Sequence, residues 1–257
     1  MTLAILLAAA TAAADAPDLT ICADRPSKAN GVCTVPAGHW QVEISAGDWA
    51  RTNADGARTD VTSLGQTLLK FGLSDNSDIE LAVTPHIRVS SHDHGVSDRT
   101  SGVGDTVVRY KRRLTDPNSA IQVALIPFVK LPTAKHALGN GQAEGGLAVP
   151  VSFAAKGLTI TFGPEVDVLA DGDGHGYHPG LVNLVNLGFS PAPRFSVAAE
   201  LWNAINFDPA RTSRLWSADV SGAYQASSRV QLDGGANLGL NRATPDIELY
   251  AGASILF

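Results

Sequence analysis

The chain has 257 residues, of which 44% are hydrophobic and only 17% charged, against about 25% charged residues in ordinary soluble domains. Its formal net charge of −6 argues against a nucleic-acid partner, because phosphate binding requires a basic surface. Beyond the N-terminus, no uncharged apolar run is long enough to cross a membrane as a helix. The apolar residues are instead spread over many short segments.

The N-terminus carries a short apolar run, residues 3–14 (LAILLAAATAAA), that ends in small residues before Asp15. This pattern predicts a secretory signal peptide at residues 1–14, although no Lys or Arg precedes the run. The two cysteines, Cys22 and Cys33, follow closely. In an exported chain such a pair favours a disulfide, so we expect residues 15–37 to form a disulfide-stiffened segment in the periplasm.

From residue 38 onward, apolar and polar residues alternate in segments of about ten residues, the length of an outer-membrane strand. In residues 79–89, apolar side chains alternate with polar ones, and Pro85 predicts a local distortion of that strand. The last segment, residues 247–257, ends on Phe257, and we expect the barrel assembly machinery to recognise this terminal aromatic residue. Twelve such segments begin near residues 40, 67, 79, 103, 120, 146, 158, 180, 195, 216, 230 and 247.

Short connections alternate with longer polar ones for most of the chain, as periplasmic turns alternate with extracellular loops. The long linkers are predicted at residues 51–60, 90–102, 132–145 and 170–179. We therefore predict an all-β fold over residues 38–257, an antiparallel transmembrane β-barrel of about twelve strands in the bacterial outer membrane. A soluble barrel would show similar alternation. The signal peptide and the terminal strand favour the membrane.

The polar faces of these strands carry charges of both signs, which we expect to point into the lumen. The candidates for lumen or selectivity residues are Lys70, Glu80, Arg88, Arg109, Lys111, Lys130, Glu165, Asp167, Glu200, Asp219, Asp233 and Glu248. Two interpretations remain open, a selectivity filter and a salt-bridge network that fills a narrow barrel. No segment is recognisable as a long plug.

The sequence offers little support for a metal, a cofactor or catalysis. Asp171, Asp173, His175 and His178 are weak metal candidates, and a flexible polar loop is the favoured interpretation because the bidentate Glu of a calcium loop is absent. The sequence contains no GxSxG elbow, and its predicted outward faces offer no Ser–His pair that could act as a catalytic pair. We predict no cofactor and no enzymatic activity.

Several stretches together resemble one protein family: CADRP, TVPAGHWQVE, LLKFGLSDNSDIEL, SGVGDTVVRYKRRL and the terminal strand. The chain is similar to the outer-membrane, transporter-like barrels named for the meta-pathway of phenol degradation. The resemblance implies a channel-like barrel with a role in the uptake of aromatic compounds. We expect passive uptake of small hydrophobic or aromatic molecules by a barrel surrounded by lipid and lipopolysaccharide. The alternatives are a closed structural or interaction barrel and, less favoured, an outer-membrane hydrolase.

Overall fold

The computed structural model describes residues 19–257, so the predicted signal peptide at residues 1–14 lies outside the described residues. Every helix or strand element in the described range is a β strand, and no helix there is suited to crossing a bilayer. The strand segments are β1 (Trp40–Ala54), β2 (Ala57–Leu64), β3 (Gln66–Ser74), β4 (Ser77–Val83), β5 (His86–Asp93), β6 (Val96–Gly102), β7 (Thr106–Arg113), β8 (Ile121–Leu131), β9 (Glu144–Ala148), β10 (Val151–Ala155), β11 (Leu158–Phe162), β12 (Glu165–Ala170), β13 (Tyr177–Ala192), β14 (Phe195–Asn206), β15 (Ser213–Ser227), β16 (Val230–Gly239) and β17 (Ile247–Leu256).

Ten of these segments join end to end in five pairs, so the seventeen segments make twelve barrel strands. The joined pairs are β2 with β3, β4 with β5, β6 with β7, β9 with β10 and β11 with β12. Each break contains a Gly or a Pro, and proline interrupts a ladder because it has no N–H to donate. The distortion predicted at Pro85 is confirmed, since it lies in the break between β4 and β5.

Pairing between the first and last strands closes the sheet. β17 runs antiparallel to β1, beginning with Gln41 opposite Leu256, with one bulge at residues 45–47. Each remaining strand pairs antiparallel with its neighbours along the chain. A closed antiparallel barrel leaves no unpaired backbone edge, which is the condition for spanning a bilayer with strands. The predicted all-β transmembrane barrel of twelve strands is therefore confirmed.

The side-chain packing is inverted relative to that of a soluble protein. In β4, Ile79 and Leu81 point outward and are exposed, whereas Asp78 and Glu80 point inward and are buried. The same alternation places large apolar side chains over the outer surface and buries polar ones inside along the other barrel strands. An apolar outer belt around a closed barrel requires a lipid environment, which places the protein in the outer membrane, as predicted.

At the barrel end opposite the chain termini, the strands reach further than expected. The linkers predicted at residues 51–60 and 90–102 are mostly strand, because β1 and β2 continue to the turn Asp55–Gly56 and β5 and β6 continue to His94–Gly95. All four turn residues have positive φ angles, the geometry of two-residue type I′ hairpins. The other two predicted long linkers do contain irregular loops, at residues 132–143 and 171–176.

Candidate functional site: an occupied lumen

The N-terminal segment lies inside the barrel. Residues 19–39, called the plug below, enter and leave at the barrel end that carries the short turns. On the way in, the Ile21 N–H donates to the Ser228 carbonyl, and on the way out the Val35 N–H donates to the Asp78 carboxylate. The described part of the segment that we expected in the periplasm, residues 15–37, therefore lies within the lumen, where it forms a short plug that the sequence did not reveal.

The predicted disulfide is present and ties the two limbs of the plug together. Cys22 is bonded to Cys33, with the Cα atoms 5.8 Å apart. Gln41 of β1 fixes this point to the wall: its Oε1 accepts from the Cys22 N–H at 3.0 Å, and its Nε2 donates to the Cys22 carbonyl at 2.7 Å. The crosslink therefore restricts the conformations available to residues 22–33.

A buried charge cluster holds one side of the plug. Lys70 Nζ lies 2.7 Å from Asp24 Oδ2 and 2.5 Å from Glu43 Oε1. Lys111 Nζ lies 2.7 Å from Asp24 Oδ1 and 3.3 Å from Glu80 Oε1. Arg109, two residues before Lys111 on β7, is the third cation of the cluster. Its Nε lies 2.9 Å from Glu80 Oε2. Each charge in this cluster has an opposite charge beside it, which offsets the cost of taking it out of water.

Asp24 is the plug residue at the centre of this cluster. Burial would raise the pKa of its carboxyl group, but the positive charges of Lys111, Lys70 and Arg109 outweigh burial and hold the pKa well below its usual range. The carboxylate therefore stays ionised in the folded barrel. Its own backbone N–H also donates to Glu43, at 3.0 Å. The plug is held on this side by charge rather than by apolar packing.

Acidic residues of β14, β15 and β16 hold the other side of the plug. Arg25 Nη2 lies 2.8 Å from Asp233 Oδ1, and Lys28 Nζ lies 2.7 Å from Asp219 Oδ2. Glu200 accepts from the backbone N–H of Lys28 at 3.2 Å and of Ala29 at 3.0 Å. The wall thus presents a cationic face to Asp24 and an anionic face to Arg25 and Lys28.

Six of the twelve predicted lumen residues contact the plug directly, and Glu80 supports three of them through ion pairs. The six are Lys70, Arg109, Lys111, Glu200, Asp219 and Asp233. Four of the other five lie elsewhere around the lumen: Lys130 pairs with Asp105 and Glu144, Glu248 accepts from Asn237, Glu165 faces the cavity beside the plug, and Asp167 is a buried residue of β12. The prediction that Arg88 points into the lumen is wrong. Arg88 is exposed and lies opposite Thr62, whereas its neighbour Ile87 lies opposite the buried Ser63, because the break at Pro85 exchanges the two faces of the strand.

The lumen around the plug tip is not filled. A cavity of about 380 Å³ lies between Arg25 and the inward face of β3 and β4, where Thr84 is one of its lining residues. A second cavity, of about 170 Å³, is bounded by Asn30, Arg109 and Glu165. A third, of about 180 Å³, lies on the β13–β14 side of the plug tip. The plug therefore occupies the lumen and leaves three cavities beside its tip.

The weak metal candidates, three in the loop before β13 and His178 at the start of β13, bond to one another and to β14. His178 Nδ1 lies 2.6 Å from Asp171 Oδ1, and its Nε2 lies 2.6 Å from Asn206 Oδ1. Asp173 accepts from the backbone N–H of His175 at 2.8 Å. Across residues 19–257, no three His, Cys, Asp or Glu side chains are grouped to hold a metal ion. Both ring nitrogens of His178 therefore already have partners, Asp171 in the loop and Asn206 on β14.

Sequence reasoning missed four plug residues whose side chains bond to side chains of the wall. They are Asp24, Arg25, Lys28 and Asn30. The available signal was composition: a short disulfide loop with charges of both signs precedes a barrel whose inward faces carry charges of both signs. The segment has no periodic pattern, so strand and helix templates could not detect it.

Comparison with known proteins gives the family and the fold. A solved structure that resembles the barrel is the COG4313 outer membrane channel from Pseudomonas putida F1, with 15% identity, a TM-score of 0.72 and coverage of 88% of this chain and 98% of that chain. The CymD monoaromatic hydrocarbon channel matches with 9% identity, a TM-score of 0.42 and coverage of 86% and 88%. No curated protein matches. A family model described as "Putative MetA-pathway of phenol degradation" matches residues 23–257, and the chain belongs to this family.

Proposed function

We propose that the protein is an outer-membrane channel for passive uptake of small molecules, with small aromatic compounds as the substrate class. The observation that carries this proposal is the open space around the plug tip, where three cavities flank residues 24–30 inside a closed barrel. A structural barrel needs no such space. The family description, which refers to phenol degradation, supports the aromatic class.

The way in which the plug is held suits a movable constriction. Its contacts with the wall are ion pairs and hydrogen bonds, which water can replace when the plug moves. The wall charges would then face a wet lumen and regain their hydration. Twelve strands enclose a narrower space than the sixteen to eighteen strands of aqueous porins, so displacement of the plug would have a large relative effect on the open cross-section.

Single-channel recording of the refolded full chain in a planar bilayer tests the proposal. The plug variant Arg25→Ala/Lys28→Ala removes two cations that hold the plug, and the matched control Arg194→Ala/Arg229→Ala removes two cations from exposed turns. We expect discrete conductance steps that are more frequent or larger in the plug variant and unchanged in the control. Benzoate should block these steps if an aromatic acid enters the lumen.

The alternative is a closed barrel with a structural or interaction role. A folded barrel, recognised by its heat-modifiable migration on a gel, that conducts in neither the wild type nor the plug variant would favour this alternative. A solved structure that the barrel resembles is an outer membrane channel, and we propose no catalytic role for this chain. We also propose that lipopolysaccharide surrounds the outer rim and that the assembly machinery binds the strand ending at Phe257.

A further inference from the structure

The outer wall of the barrel contains a groove that faces the lipid. It has a volume of about 370 Å³ and lies across β11 to β15. Phe162 and Trp216, two of its lining residues, are exposed side chains of the apolar outer belt. The groove therefore opens toward the bilayer and is separate from the three cavities around the plug.

Two carboxamides line this apolar groove. Asn183 of β13 and Asn203 of β14 lie directly opposite each other in the ladder. Asn203 is only 7% exposed, and within residues 19–257 neither side chain makes a hydrogen bond. On the same outward face, the residues two positions from Asn203 are Leu201 and Ile205. A carboxamide in such surroundings is unfavourable until a ligand supplies its hydrogen bond.

The groove lies at a break in the barrel wall. β11 ends at Phe162 and β12 begins at Glu165, and Pro164 in the gap has no N–H to donate to β13. The Gly163 N–H still donates to the Leu184 carbonyl at 3.1 Å. The Leu184 side chain covers Gly163 so closely that a Cβ atom at residue 163 would lie 2.8 Å from Leu184 Cγ.

The lumen approaches the same point from the inside. The cavity of about 180 Å³ beside the plug tip is lined by Gly163, Leu184, Trp202 and Lys28. Leu184 also lines the outer groove. The groove and the lumen cavity therefore meet at one leucine, next to the wall position where a proline and a glycine replace regular strand.

We propose that this groove is a lateral binding site for a small aromatic molecule that carries a hydroxyl or carbonyl group. The molecule enters from the bilayer, lies between Phe162 and Trp216, and bonds to the carboxamides of Asn183 and Asn203. From there it reaches the lumen past Leu184. The assignment of an aromatic molecule rests in part on the proposed function. The unpaired carboxamides favour it over a lipid acyl chain, which has no polar group to offer at this depth.

Photolabelling tests the site without relying on conductance. The refolded full chain in lipid nanodiscs is labelled with 4-azidophenol, and the labelled residues are mapped by mass spectrometry. The competitors are p-cresol and p-xylene, which have the same size and differ in the hydroxyl group. We expect labelling at Phe162 and Trp216, with p-cresol competing at a concentration at least tenfold lower than p-xylene.

The variant Asn183→Leu/Asn203→Leu tests the role of the carboxamides. Leucine suits a lipid-facing position, so the barrel should still fold, as judged by heat-modifiable migration. Labelling at the groove should fall at least tenfold in this variant, and Asn118→Leu, on an exposed turn, should leave it unchanged. Equal competition by the two ligands, labelling spread over the whole outer belt, or undiminished labelling in the double variant would overturn the proposal. Groove labelling in a barrel without conductance would retain this site and refute the channel, whereas conductance without groove labelling would do the opposite.

Discussion

Lys70 Nζ lies 2.5 Å from Glu43 Oε1, and both side chains are wholly buried inside a barrel whose outer surface faces lipid. The two residues are not directly opposite in the β1–β3 ladder, because Lys70 pairs with Gln41 and Glu43 pairs with Leu68. The contact is therefore diagonal, within the reach of long side chains. Asp24 of the plug completes the group, so the position of the plug is linked to an ion pair of the wall.

The first prediction concerns this cation. Lys70→Met removes the charge that lies beside Asp24 and Glu43, and it leaves two buried carboxylates with less compensation. We expect a loss of about 3–5 kcal/mol in the free energy of unfolding, the usual effect of removing one partner of a buried ion pair. Urea titration in lipid vesicles, followed by tryptophan fluorescence, measures it. Lys130→Met is the control, because that lysine is 18% exposed, and a loss of the same size there would contradict the prediction.

The second prediction concerns the disulfide. Under the proposed function, reducing the Cys22–Cys33 bond should increase the fraction of time that the channel is open. The crosslink closes a loop with a sequence separation of 11, and such a crosslink lowers the entropy of the displaced loop by an amount worth roughly 3 kcal/mol. The open probability is recorded before and after adding reductant. A Cys22→Ser/Cys33→Ser variant should be insensitive to reductant; a similar response in that variant would show that another effect is responsible.

The third prediction tests the assignment of faces. Leu81 points toward lipid, whereas Thr84 lines the lumen cavity of about 380 Å³. Leu81→Arg should lower the free energy of unfolding by roughly 2–4 kcal/mol if the residue lies near mid-depth, because a charge there faces hydrocarbon. Thr84→Arg should have a small effect, since the new charge reaches a polar cavity. Unfolding titrations of both variants in the same vesicles provide the comparison, and equal losses would refute the assignment.

The fourth prediction concerns Gly163, which lies in the break between β11 and β12 and next to Leu184. Gly163→Ala should lower the free energy of unfolding by about 1–3 kcal/mol, because the new methyl group overlaps Leu184. Gly188→Ala, on β13 itself, is the matched control, since a Cβ atom there would be 3.6 Å from its nearest neighbour. The two variants are compared by urea titration. If Gly163→Ala is as stable as Gly188→Ala, Leu184 is not tightly packed over the glycine.

Sequence reasoning succeeded where the information is local. The alternation in residues 79–89 identified the strand, Pro85 located its break, and the predicted outward face is correct for β4. In β5 the two faces are exchanged after the break, because Ile87 lies opposite the buried Ser63 and Arg88 is exposed. Sequence reasoning was less successful at the strand ends, where the turns at Asp55–Gly56 and His94–Gly95 extend the hairpins into predicted loops. The residues on either side of these turns are polar, so their composition predicts a loop. Only the pairing of β1 with β2 and of β5 with β6 shows that the strands continue to the turns.

The sequence alone predicted a barrel, because a period of two is a property of consecutive residues, and the signal-like N-terminus and the terminal strand favoured the membrane over a soluble barrel. The disulfide between Cys22 and Cys33 was also predictable, because two nearby cysteines in an exported chain favour a disulfide. Only the tertiary structure decided that the plug fills the lumen, since its partners are distant in sequence, as with Arg25 and Asp233, which are 208 residues apart. Closing the barrel brings the inward charges of strands from both halves of the chain around one short segment, and no local pattern records that arrangement.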